Sequence, residues 1–237
     1  MTKPLVPLLA FIALVSVAGG ADAQTQPTPA PAPAAAPSQP MLKAEELDQI
    51  TAPIALYPDA LLANVLMAST YPLEVIEADR WAKANKSLKG EALKTEVAKQ
   101  RWDDSVKQLV ATPSVLDMMS AKLDWTQKLG DAVLAQQPDL MDSVQRLRTK
   151  ADAQNTLKST KEQKVTKQQT QAGKQVIVIE PTQPDRIYVP YYNPTTAYGT
   201  WPYPAYPPTY YPQPLWYPGT LAAGAVGFGL GVAVGAA

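Results

Sequence analysis

The chain contains no cysteine and no histidine. Without cysteine there is no disulfide, no thiolate nucleophile and no thiolate metal ligand. Without histidine there is no Ser-His-Asp triad and no common zinc site. Carboxylates, Lys, Ser/Thr and Tyr are the chemical groups that remain. No catalytic residue, metal site or cofactor is expected from them. An excess of charge of one sign is missing too, since 21 Lys and Arg balance 21 Asp and Glu. No field therefore favours nucleic acid as a partner. No glycine-rich loop follows a strand, which excludes a phosphate-binding fingerprint. Charge itself disappears at one end: Ile187 to Ala237 holds no Asp, Glu, Lys or Arg.

What is present begins with a processing signal over 1–23. Lys3 precedes the apolar run "LVPLLAFIALVSVAGG", and "ADA" follows before Gln24. A basic start, an apolar core and a small-x-small triplet predict cleavage after Ala23 and export. No cysteine follows the run, so a lipid-modified N-terminus is not expected. A periplasmic place in a bacterial envelope, associated with a membrane, is the expected location. Residues 24–40, "QTQPTPAPAPAAAPSQP", form a Pro/Ala linker biased to polyproline II.

Residues 41–161 predict an all-helical domain of roughly six or seven helices. Pro58, Pro72 and Pro113 each precede an apolar-periodic run, as suits a first helical turn. Asp59 and Glu74 then lie near the positive end of the helix dipole. Asp124 is placed to cap the run that follows it, and Asp103 and Asp104 to cap a helix or break one. Beyond Pro138, Leu140, Val144, Leu147 and Ala151 make an amphipathic stripe. The expected core comprises Leu61, Leu62, Val65, Leu66, Ile76, Trp81, Trp102, Leu116 and Leu129. The apolar stretch "YPDALLANVLMASTYP" is too short to span a bilayer. About 13 helical residues reach roughly 20 Å, against about 30 Å of hydrocarbon.

Residues 162–173 read as a polar basic linker, one that could also be drawn to an anionic surface or cell-wall polymer. Residues 174–192 read as a β-rich segment of two runs, Lys174–Glu180 and Arg186–Tyr192, with Pro190 at an edge. Residues 193–218 are Tyr/Pro-rich and extended. Residues 219–237 are Gly-rich and apolar, long enough as a helix for about 28 Å. On such a helix Gly227, Gly231 and Gly235 share one face, the small-residue pattern that packs helices in lipid. That pattern predicts membrane association and a homo-oligomer. The fold class expected is thus mainly α: a small helical bundle, a hairpin-like β segment, an extended stretch and an apolar end.

Two further sets of residues invite a functional reading. Glu74, Glu77 and Asp79 could serve a carboxylate-dependent glycan hydrolase, but residues at this spacing share one helix surface instead of flanking a substrate. Tyr57 and Tyr71, each followed by proline, could be paired aromatic platforms at one end of the domain, with Trp81 as a third weak candidate. A sugar or a Pro-rich peptide would suit them, and the chain's own Tyr/Pro tail is a natural occupant. Protein contacts or cell-wall polymer are the partners expected.

Three stretches, "LDQITAPIALYPDALLANVLMASTYPLEVIEADRW", "RWDDSVKQLVATPSVLDMMSAKLDWTQKLGDAVLAQQPDLMDSVQRLR" and "IYVPYYNPTTAYGTWPYPAYPP", resemble the bacterial domain of unknown function 3300. The resemblance runs from about Leu47 to the C-terminus. It implies an exported, membrane-associated protein and no activity, because the family brings no catalytic residues. Similar proteins often continue past the Gly-rich segment into a Trp/Asn/Arg-rich tail, before which this sequence stops. A non-enzymatic envelope scaffold or interaction protein is the expected function, with a cell-wall glycan- or peptide-binding module as the alternative.

Overall fold

A computed structural model of the chain describes residues 41–171, 173–183 and 186–211, and the backbone of 229–235. The processing signal, the Pro/Ala linker, Pro212–Pro218 and Gly227 lie outside the described residues. The element order is α1 (Ala44–Thr51), α2 (Asp59–Ser69), α3 (Pro72–Ala84), α4 (Gly90–Ala98), α5 (Asp104–Leu109), α6 (Pro113–Ala121) and α7 (Leu123–Ala153). Then follow β1 (Gln163–Gln169), β2 (Gln175–Pro181), β3 (Arg186–Tyr191), α8 (Pro194–Ala197) and β4 (Gly229–Gly235). The fold is mainly α, as its sequence predicts.

Local chemistry explains most helix starts. Pro72 and Pro113 open α3 and α6 from within the first turn, and Pro58 sits one residue before α2. A proline there loses no hydrogen bond, because the first N–H groups of a helix have no internal partner. Asp103 caps α5 by accepting from the Ser105 N–H at 2.9 Å. Asp124 does not cap: α7 already starts at Leu123, so this carboxylate lies inside the first turn.

Helix α7 continues through Pro138, with a kink at Gln136, where φ is −149° and ψ 45°. Proline lacks the N–H that would reach back four residues and its ring crowds the carbonyl there. The Gln136 side chain uses the opening: it accepts from the Leu42 N–H at 2.7 Å and donates to the Leu42 carbonyl at 3.1 Å. Beyond the kink Leu140, Val144, Leu147 and Ala151 are buried as a continuous stripe. The helix ends on Asn155 at positive φ, with the Thr156 N–H returned to Ala151, a Schellman closure.

Helix α1 lies along α7, α3 against α6, and α2 against α5 and α7. Seven of the nine expected core residues are buried. Ile76 and Trp81 are only half-buried, because α3 turns Val75 and Ala78 inward instead. Helix α7 meets the end of α2 at Gly130, where a Cβ would stand 2.3 Å from the Ser69 carbonyl oxygen.

The β region departs from expectation in three ways. Residues 162–173 are not a linker: β1 forms there and pairs antiparallel with β2, from Gln163 opposite Pro181 to Gln169 opposite Gln175. Strand β2 buries Ile177 and Ile179 against α2 and α7, and its backbone then needs a ladder partner, which a polar strand supplies as well as an apolar one. Second, β2 and β3 do not pair with each other; β3 pairs with β4, with a register shift around Pro190. Third, residues 229–235 are a strand, so a single helix over 219–237 with Gly231 and Gly235 on one face does not form. Leu230, Val232 and Val234 alternate with small residues at the period of a strand, and glycine is a poor helix former. No helix among the described residues is long and apolar enough to cross a membrane.

Candidate functional site: an aromatic cleft

The site is built around the connection between α1 and α2. Ala52 to Pro58 is buried throughout, unusual for a loop, since each of its backbone polar groups then needs a partner away from water. Arg148 of α7, only 1% exposed, supplies several. Its Nε donates to the Ala55 carbonyl at 2.8 Å, its Nη2 to Tyr57 at 3.0 Å, and its Nη1 to Ile177 of β2 at 2.8 Å. Nη1 also lies 2.6 Å from an Asp59 carboxylate oxygen. The planar guanidinium spends its fork on three chain segments at once.

The remaining partners come from the Tyr/Pro stretch. The Tyr192 and Tyr198 hydroxyls both donate to the Ala52 carbonyl, at 2.8 and 2.7 Å, and the Leu56 N–H reaches Tyr192 at 3.3 Å. Farther along, the Gln49 side chain donates to the Pro207 carbonyl at 2.9 Å, and the Thr209 N–H donates to Gln49 at 3.3 Å. The Lys150 ammonium lies over the rings of Trp201 and Tyr203, 5.4 and 5.3 Å from their centroids, where the ring quadrupoles attract it. Buried Asp48 sits beneath, accepting from Ser143 at 2.8 Å and from Arg146 Nη2 at 2.6 Å. Residues 192–211 are therefore part of the folded body and not a free stalk.

This return of the chain makes a cleft of about 240 Å³. Tyr57, Tyr191, Tyr210 and Tyr211 line it with Pro53, Pro190, Val115 and Met118. Ser114, Asp117 and Lys122 provide its polar edge. Tyr57 is 3% exposed. Its hydroxyl sits among those of Tyr191, Tyr192 and Tyr211 and has no hydrogen-bond partner among the described residues. The Tyr211 hydroxyl is unpartnered in the same sense, while its ring meets Trp125 edge-on at 5.4 Å. Burial pushes both phenols above their ordinary range, and for Tyr57 the neighbouring tyrosines add to it. The cleft thus presents neutral phenols at neutral pH, each with a proton to donate.

The three sequence candidates for binding do not converge. Tyr57 lines the cleft. Tyr71 lies beyond the other end of α2, about 16 Å away by helix rise, 37% exposed and bonded to the Asp103 carboxylate. Trp81 meets Trp102 edge-on at 5.9 Å on the α3 side. Paired platforms at one end of the domain are not formed, because one turn-helix-turn separates the two tyrosines. The α3 carboxylates are engaged in structure: Glu74 accepts from the Asp103 N–H at 2.6 Å, Glu77 from Trp102 Nε1 at 3.2 Å, and Asp79 pairs with Lys83 at 2.7 Å. Sequence reasoning missed Arg148, Tyr192 and Tyr198. Arg148 had a signal, for it follows Leu147 and falls four residues after Val144, inside the buried stripe.

The family model described as protein of unknown function (DUF3300) matches residues 43–237. The chain is 46% identical over 200 residues to the uncharacterized protein YacH of Escherichia coli (strain K12), covering 73% of this chain and 32% of that protein. It spans about a third of the length of that relative. No solved structure matches it.

Proposed function

The chain belongs to the DUF3300 family of proteins of unknown function, and from that premise we propose that it is an exported bacterial envelope protein, membrane-associated, that acts by contact and not by catalysis. The observation that carries this reading is the uncharged Tyr/Pro stretch folded back on the helices to complete a cleft with neutral, donor-bearing walls. Such walls suit holding a ligand. Export is supported by Lys3, the apolar run and the Ala-Asp-Ala triplet. Membrane association is supported by the absence of charge from Ile187 onward.

Fractionation tests the location. The intact protein is expected to sediment with envelope membranes, and deletion of Gly219–Ala237 to release it into the soluble periplasmic fraction. Because that deletion removes β4 from β3, the truncated protein must first be shown to melt cooperatively. An intact protein found wholly soluble would overturn the membrane part of the proposal. A second reading, a cell-wall glycan- or peptide-binding module, is favoured by the cleft itself, and co-sedimentation with isolated cell wall distinguishes it.

A further inference from the structure

A hydroxyl that faces a cleft without a protein partner is free to bond whatever enters it. Two such hydroxyls, on Tyr57 and Tyr211, meet in one cleft. They come from positions more than a hundred residues apart in the chain. Both phenols are neutral, so each keeps a proton to donate and can also accept. The wall around them is apolar, from Pro53, Val115, Met118 and Pro190. The one carboxylate at the edge, Asp117, is already held by Lys83 at 2.6 Å. A ligand for this place is apolar along its sides and carries acceptors for the two phenol protons.

We infer that the cleft binds a proline-rich peptide segment of another protein, with the Tyr57 and Tyr211 hydroxyls donating to its backbone carbonyls. A prolyl residue offers a carbonyl and no N–H, so it brings acceptors without donors that would be stranded in the cleft. Its polyproline II form is set before binding, which lowers the entropy lost. A saccharide presents hydroxyls along its edges, and the walls of Pro53, Val115, Met118 and Pro190 offer them no partner. The adjoining surface already reads a segment of this kind within the chain. Gln49 donates to the Pro207 carbonyl, and Trp201 Nε1 donates to the Tyr206 carbonyl at 2.7 Å. The inference deepens the contact reading above by naming the partner's chemistry, and rests on it only for where the partner is met.

Calorimetric titration of the purified full chain tests it, using a ten-residue oligoproline, a Gly/Ser peptide of equal length and an N-acetylglucosamine tetrasaccharide. Oligoproline is expected to bind and the other two not. Tyr57→Phe and Tyr211→Phe are each expected to weaken binding about fivefold, the value of one hydroxyl hydrogen bond, and Tyr71→Phe to leave it unchanged. The melting temperature of Tyr57→Phe should match the wild type, which separates a lost donor from a damaged fold. Absence of oligoproline binding, binding by both cleft variants as tight as the wild type's, or tetrasaccharide binding in its place would overturn the inference. Water alone filling the cleft is the first of these outcomes. The location measured by fractionation is untouched by any of them.

Discussion

Tyr57-Pro58 and Tyr71-Pro72 are the same dipeptide ahead of two consecutive helices, yet they reach opposite surroundings. Tyr57 is enclosed by chain that arrives from far downstream, and its carbonyl is held by Arg148. Tyr71 stays at the surface, and its partner comes from nearer in sequence: Asp103, 32 residues on. The dipeptide sets a helix start in both cases. What differs is the distance in sequence over which the partners are drawn. A repeated motif therefore reports repeated local geometry, and its burial and chemistry depend on what the rest of the chain brings to it.

Mutations can break this contrast. The largest effect is expected from Arg148→Ala, which strands the carbonyls of Ala55, Tyr57 and Ile177 in the interior. A loss of about 3–5 kcal/mol is expected, as when one partner of a buried charged network is removed. At the other end of α2, Tyr71→Ala should cost less than about 1 kcal/mol, as surface changes do. Urea denaturation of the two variants measures the gap, and equal losses would dissolve the contrast. A smaller effect separates two tyrosines at the buried end. Tyr198→Phe gives up the bond to the Ala52 carbonyl and should lose about 1 kcal/mol, while Tyr57→Phe gives up none and should lose close to zero.

The least pronounced test is the pH dependence. Burial raises the Tyr57 phenol, so the fold favours its protonated form. That contribution is complete below the ordinary tyrosine value of about 10 and is lost as pH rises above it. The Ser105 hydroxyl and N–H hold the Asp103 carboxyl below its ordinary range, so the fold favours the ionised form. That contribution is complete above about 3.9 and is lost as pH falls below it. One end of α2 is thus sensitive to alkali and the other to acid. Tyr57→Phe should flatten only the alkaline limb of a stability profile, and Asp103→Asn only the acid limb.

The helices were legible in the sequence because their signals are local: Pro72 and Pro113 at first turns, Asp103 at a cap, and the stripe of Leu140, Val144, Leu147 and Ala151. At Gln136 helix α7 kinks without ending, because the side chain of Gln136 and the packing of both halves hold it together. Strand β1 was not legible, since "QKVTKQQ" has neither clear alternation nor β-branched enrichment and becomes a strand only through β2. Of the site, Tyr57 was visible and its companions were not. Tyr191 read as part of a β-rich run and Tyr210 and Tyr211 as members of an extended stretch, and no periodicity says that this stretch turns back. The idea that the Tyr/Pro tail occupies a groove of its own domain came close. The tail does pack there, but as a wall and not as a guest.

The hydroxyls of Tyr192 and Tyr198 reach Ala52 across 140 and 146 residues of chain. During synthesis the loop they complete is therefore made early and finished late. At roughly 5–20 residues per second on a ribosome, the Ala52 carbonyl waits on the order of ten seconds for its last partners. Until then α1 and α2 cannot close their junction, and the helical region cannot settle into its final state ahead of its own tail. A nascent chain held unfinished in this way stays open to threading for as long as its C-terminal third is unmade.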